Sequence, residues 1–177
     1  MNTAEREAWL RSRVRDVPDF PQPGILFRDV TPLLTDGEGL RRAIDALEEQ
    51  VRPMQPDLLV PIESRGFLFA APLALRLGVG LALVRKPGKL PAEVLKADYA
   101  LEYGTGTLEM HVDGVRPGQR VVVIDDVIAT GGTAAAAAEL SRRAGGEVCG
   151  AAFFIELAFL AGRQKLPGVP CAAVITY

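Results

Sequence analysis

Several protein classes are excluded by what this chain has little of. Cys149 and Cys171 are its only cysteines, too few for a disulfide framework, and both read as small core residues. The single histidine, His111, stands in a strand pattern without a partner and reads as a structural or surface residue. No group of His, Cys, Asp and Glu has metal-ligand spacing. The formal charge of −2 gives no sign of a surface that coats nucleic acid. No apolar run approaches the ~20 residues of a membrane span, and the charged start Met1-Asn-Thr-Ala-Glu-Arg-Glu-Ala has no apolar stretch of signal-peptide length. The expectation is a soluble cytoplasmic protein with neither nucleic acid nor membrane as partner. Internal repeats and low-complexity tracts are also missing. What remains is ordinary for one globular domain, with 49% hydrophobic and 24% charged residues in a 177-residue chain that is short for two domains.

The most informative stretch is Val121-Val-Val-Ile-Asp-Asp-Val-Ile-Ala-Thr-Gly-Gly-Thr133. Val121 to Ile124 are β-branched in a row, as in a parallel strand buried on both faces. Asp125 and Asp126 are expected where that strand ends. Ala129-Thr130-Gly131-Gly132-Thr133 then leads into an alanine-rich helix over Ala134 to Ala144. A Gly/Thr turn at a helix N-terminus offers free backbone N–H groups, hydroxyls and the positive end of the helix dipole, which are what a phosphate needs. The lysine of a Walker loop is absent, so a nucleoside triphosphate fits poorly. Two carboxylates just before a phosphate loop suit a sugar phosphate, whose hydroxyls they would accept.

Strands and helices alternate along the rest. A surface helix is expected from Thr3 to about Arg15, followed by a proline-rich extended connector over Val17 to Gly24. Leu40, Ala43, Ile44, Leu47 and Val51 give Gly39 to Val51 a helical spacing. A strand over Leu58 to Ile62 ends at Glu63-Ser64-Arg65-Gly66, and a helix follows to Leu77 in which Pro72 implies a late start or a kink. A strand over Gly80 to Val84 delivers Arg85-Lys86-Pro87-Gly88-Lys89, read as a clamp for a polyanion, with Lys86 first and Lys89 second. Alternation in Ala92 to Val112 around Gly104-Thr-Gly106 predicts a β-hairpin with a flexible tip, an arm able to exclude water from a site. Further strands are expected over Glu147 to Glu156 and Ala172 to Thr176, with a loop over Leu157 to Arg163. The alternation gives an α/β domain with a mostly parallel sheet.

Val121 to Thr133 resembles the phosphoribosyl pyrophosphate signature of the type I phosphoribosyltransferases. Phe20-Pro-Gln-Pro-Gly-Ile-Leu-Phe-Arg-Asp29, Glu63-Ser-Arg-Gly-Phe-Leu-Phe69, Val84-Arg-Lys-Pro-Gly-Lys-Leu-Pro91 and Leu101-Glu-Tyr-Gly104 resemble the adenine-using branch of that family. The resemblance spans nearly the whole chain. It implies one domain over 1–177, with a central sheet flanked by helices, a small hood formed largely by 18–35 and the C-terminal segment, and a mobile hairpin over 92–112. The implied reaction joins adenine to the phosphoribosyl group of phosphoribosyl pyrophosphate, giving AMP and pyrophosphate. Another purine, or a regulator that binds without catalysis, stands as the alternative.

By the same resemblance Ala129, Thr130, Gly131, Gly132 and Thr133 anchor the 5′-phosphate, and Asp125 and Asp126 the ribose. Glu63, Ser64, Arg65, Lys86, Lys89 and Tyr103 serve the pyrophosphate. Leu26, Phe27 and Arg28 serve the base, the first and last through their backbone. Glu102, Arg65 and Lys86 are the implied catalytic residues, with Glu102 near the attacking base nitrogen. Magnesium is expected mainly on the substrate, with Asp125 the nearest protein group, and the implied assembly is a homodimer. Two departures from the family pattern, Pro61 and Ala70, stand where glycine is usual, and Pro61 is expected to alter the approach to the pyrophosphate turn.

Overall fold

The computed structural model describes residues 2–100 and 105–177. Glu102 and Tyr103, expected on the arm, and Gly104, expected at its tip, lie outside the described residues. The chain forms two compact units, one up to Ala46 and the other Leu47–Tyr177.

In the first unit, α1 (Thr3–Arg11) starts with a capping box: the Glu5 N–H donates to Asn2 Oδ1 and the Asn2 N–H to Glu5 Oε2, both at 2.9 Å. These bonds satisfy donors that a helix start leaves open. The helix is shorter than its sequence suggests because Arg15–Pro18 (β1) pairs antiparallel with Leu26–Asp29 (β2). Part of the expected connector is therefore strand. Ion pairs brace it, Arg15 to Asp29 at 2.6 Å and Arg28 to Asp16. α2 (Thr31–Thr35) follows, and α3 (Gly37–Val51) begins in this unit.

The second unit contains β3 (Leu58–Pro61), α4 (Arg65–Leu77), β4 (Gly80–Leu81), β5 (Val94–Ala100), β6 (Thr105–His111), β7 (Arg120–Ile128), α5 (Gly132–Arg143), β8 (Glu147–Glu156) and β9 (Cys171–Thr176). Its sheet is wholly parallel in the order β4-β3-β7-β8-β9. Leu59, Val60, Val121 to Ile124 and Ala151 to Ile155 are all buried, as strands covered on both faces require. Ala134, Ala136, Ala137 and Ala138 are buried on α5, and their small side chains let this helix lie close to the sheet. β5 and β6 pair antiparallel as the arm.

This order has one switch point. From β3 the chain crosses α4 to β4 on one side, whereas β7 is β3's neighbour on the other side and leads through α5 to β8. Ligands of open α/β sheets bind outside the carboxyl ends of the strands at such a point, here between the loops that leave β3 and β7.

The Pro61 departure is felt on one side only. The β3 to β4 ladder has Ala82 N–H donating to Leu59 O at 2.9 Å, Val84 to Pro61 O at 3.0 Å and Glu63 to Val84 O at 2.9 Å. The missing rung is the one Pro61 would donate to Ala82 O, since proline has no N–H. Regular pairing of β4 therefore stops at Leu81 and returns only as a bridge between Ile62 and Val84. Toward β7, Ile62 N–H still reaches Ile124 O at 3.1 Å. The Glu63 turn keeps its anchorage.

Candidate active site

Asp125 and Asp126 do not end their strand. β7 continues to Ile128, paired with Phe153, Ile155 and Glu156 of β8, while its partnership with β3 stops at Ile124. The carboxylates thus occupy the length where β7 has lost one neighbour and kept the other. α4 fills that margin: a Cβ at Gly66 would lie 2.9 Å from Ile124 O and 3.0 Å from Asp125 Oδ1, so only glycine lets the helix start come this close. α4 begins at Arg65 in spite of Pro72. The Leu68 carbonyl that Pro72 leaves without a donor is on a half-exposed part of the helix, where water can take it.

Both carboxylates are buried, at 8% exposure for Asp125 and 3% for Asp126. The Arg65 guanidinium donates through Nε to Asp126 Oδ2, and the Asp126 N–H donates to Asp125 Oδ1 at 2.9 Å. Burial, and then the charge of Asp126, push the Asp125 carboxyl well above the usual carboxylate range. The folded protein therefore keeps this proton to a higher pH than the unfolded chain. The associated stability is complete below the ordinary carboxylate pKa and is lost as pH rises through the raised one. Asp125→Asn should accordingly match the parent in stability near pH 4 and exceed it increasingly toward neutrality, by roughly 1 to 3 kcal/mol for a fully buried acid, read as a rising difference in melting temperature. Parallel melting curves from pH 4 to 8 would contradict this origin.

The Ala129–Thr133 loop leads straight into α5, whose first backbone N–H groups have no intrahelical acceptor. Gly131 caps this helix at φ +79°. A Cβ there would lie 2.2 Å from Gly162 O, and one at Gly162 would lie 2.3 Å from Ala129 O. The two glycines thus press backbone on backbone. Gly132 lies beneath the end of β5, where a Cβ would be 3.1 Å from Ala100 O. Leu157 to Arg163, expected as a loop, forms two short 3-10 turns, Ala158–Leu160 and Gly162–Lys165. Arg163 locks them with a fork to Glu156, at 2.6 and 2.5 Å, and a bond to Cys171 O at 2.6 Å. Nothing local in the sequence marks Gly162 or Arg163. A glycine in a turn looks alike whether or not another backbone rests on it.

Glu63 gathers the cation segment. It accepts from the Lys86 N–H at 3.0 Å and from Arg85 Nε and Nη2 at 3.2 and 3.3 Å. These bonds, the Lys86 amide first, hold its carboxyl below the usual range. Arg85 is thereby used structurally, while Lys86 and Lys89 are exposed. The Glu63–Ser64 peptide is cis, and Ser64 is exposed at the N-cap of α4. In the first unit, Leu26, Phe27 and Arg28 share β2, and the Phe27 ring meets that of Phe20 edge-on at 5.2 Å. Thr105 and Gly106, expected at the arm's tip, belong to β6, where Gly106 opposes Tyr99 and is overlain by its ring. His111 accepts the Ala92 N–H at 3.3 Å, a structural use.

A helix start with open backbone N–H groups, a buried carboxylate pair and a cation segment lie around one switch point, and the phosphoribosyl transferase domain model matches residues 32–166. The adenine phosphoribosyltransferase of Thermosynechococcus vestitus is 58% identical over 168 residues, 95% of this chain and 99% of that protein. The crystal structure of adenine phosphoribosyltransferase from Thermoanaerobacter pseudethanolicus superposes with a TM-score of 0.94 at 48% identity, covering 97% of this chain and 99% of that one. The Saccharomyces cerevisiae enzyme, solved with an imino-altritol bisphosphate and adenine, gives 0.90 at 42% identity, with 97% and 99% covered. The chain belongs to the adenine phosphoribosyltransferase family.

Proposed function

We propose that this protein transfers the phosphoribosyl group of phosphoribosyl pyrophosphate to adenine, releasing AMP and pyrophosphate. The observation that carries the reading is the junction of β7 and α5, where two buried carboxylates are followed within a few residues by a helix start with open backbone N–H groups. Relatives named for this activity match nearly the whole chain, which supports adenine as the base.

In this reading Ala129 to Thr133 hold the 5′-phosphate and Asp125 and Asp126 accept the ribose hydroxyls. Arg65, Lys86 and Lys89 offset the charge that grows on the departing pyrophosphate as the anomeric bond breaks, and Glu63 and Ser64 shape their turn. Leu26 and Arg28 read the base edge through backbone groups, Phe27 packs beside it, and Tyr103 helps cover the site. Glu102 withdraws the proton from the attacking base. Magnesium, when bound, would come mainly on phosphoribosyl pyrophosphate and offset its charge, with Asp125 the nearest protein group. The acidic pair fits that role: Arg65 already engages Asp126, so few protein oxygens are offered to an ion that prefers phosphate oxygens and water. A hood from 18–35 and the C-terminal segment, a homodimer and a cytoplasmic location complete the proposal.

The test is product formation from phosphoribosyl pyrophosphate, magnesium and each purine in turn, followed by chromatography. AMP from adenine alone is the expected result. Product from another purine instead would remove the base assignment and leave the phosphate site standing. Binding without product would favour a regulator. Glu102→Ala is expected to lower kcat more than tenfold, below the usual span for general-base residues, with the KM for phosphoribosyl pyrophosphate within about twofold. An unchanged kcat would end the base assignment.

A further inference from the structure

Glu109 has no part in the chemistry above, yet its side chain is only 4% exposed. A buried carboxylate is costly unless its oxygens are satisfied, and here both are used. Oε2 accepts the Gly88 N–H at 2.9 Å and Oε1 faces Lys96 Nζ at 3.0 Å. The backbone of the same residue is paired as well: its N–H donates to Arg85 O at 2.7 Å, and its carbonyl accepts the Arg85 N–H at 2.9 Å. Glu109 thus grips the segment at Arg85 through its main chain and at Gly88 through its side chain. Between these grips Lys86 is tied by its own N–H to Glu63, and Gly88 takes φ +74°. Lys96 is 63% exposed, so its ion pair is screened by water. The stronger hold is the charge-assisted bond from Gly88.

We propose that Glu109 is a positioning residue for pyrophosphate: it fixes the backbone of Arg85 to Gly88, and with it Lys86 and Lys89, to strand β6 of the arm. The inference rests on the reading of those lysines as pyrophosphate ligands. Arm and cation segment then share one residue, so the element that covers the substrate also presents the cations.

The test uses Glu109→Leu, which fills the same space without an acceptor, and Glu109→Gln, whose amide oxygen still accepts from Gly88. Glu109→Leu should raise the KM for phosphoribosyl pyrophosphate, and for pyrophosphate in the reverse reaction, about tenfold, the loss of one charge-assisted bond. The KM for adenine and the affinity for ribose 5-phosphate should stay within about twofold, and Glu109→Gln should restore most of the loss. A uniform rise in every constant would mean general damage and overturn the proposal. Constants unchanged in Glu109→Leu, with Lys86→Ala raising them, would overturn it while sparing the lysine reading. Lys86→Ala and Lys89→Ala without effect would remove that reading and the inference with it. If Glu109→Leu does not fold, amide exchange in the parent chain decides: a protected Gly88 supports the proposal, and a freely exchanging one overturns it.

Discussion

Gly131→Ala is expected to lower kcat/KM for phosphoribosyl pyrophosphate by about 10²-fold, a loss that misplacement of a binding element by 1 Å can produce. Two costs coincide at this position. The residue has φ +79°, where a side chain adds about 1–2 kcal/mol of strain. Its new Cβ would lie 2.2 Å from Gly162 O, far inside contact distance. Neither backbone can yield cheaply, because Arg163 ties the Gly162 turn to Glu156 and to Cys171 O, and Gly131 is the cap of α5. The Ala129–Thr133 loop must therefore move. The loss should fall mainly on KM, and calorimetry with ribose 5-phosphate should show it without any chemistry. A variant that binds ribose 5-phosphate like the parent would exclude Ala129 to Thr133 as the phosphate anchor.

Arg65→Ala should cost about 10³-fold in kcat/KM, the upper end for loss of one electrostatic donor. The guanidinium would serve two partners, the outgoing pyrophosphate and the buried Asp126. Without it two buried carboxylates remain side by side, and they cannot both stay charged cheaply. Arg65 lowers the Asp125 carboxyl's affinity for its proton, so its removal holds that proton more firmly still. Stability should fall less than activity. Breaking a fully buried pair costs about 3–5 kcal/mol, but the Arg65 side chain is 44% exposed, which reduces this toward 1–2 kcal/mol. Arg65→Lys should recover part of the rate, as a point charge lacks the planar fork. If the KM for pyrophosphate in the reverse reaction stays at the parent's value in Arg65→Ala, the leaving-group assignment is wrong.

The β7 to α5 junction could be read from sequence because each of its parts is local. Four β-branched residues, two acids and a Gly/Thr turn announce strand, acceptors and helix start without reference to any other segment. The bounds of Glu147–Glu156 are legible for the same reason. The end of β7 is not, since nothing in Asp125-Asp126-Val127-Ile128 reveals that β8 runs on beside it to Glu156. Acidic residues suggest a strand end, and cross-strand pairing overrides that preference. The start of α4 was uncertain because Pro72 argues against helix, while the helix's exposed side removes most of the penalty. Gly162 and Glu109 are not legible in the sequence because each owes its importance to a remote segment, Gly131 in one case and Gly88 in the other.

The rung that Pro61 cannot supply also affects how the molecule meets its neighbours. An outer strand with a long row of open N–H and C=O groups is a template on which another chain can pair. β4 is the outer strand on its side of the sheet, and with the Ala82 bond absent its regular part is only two residues long. Too short and too irregular to seed such pairing, this margin is protected against edge-to-edge aggregation. A proline that looks like a defect beside the Glu63 turn thus shortens the edge that another chain could pair with.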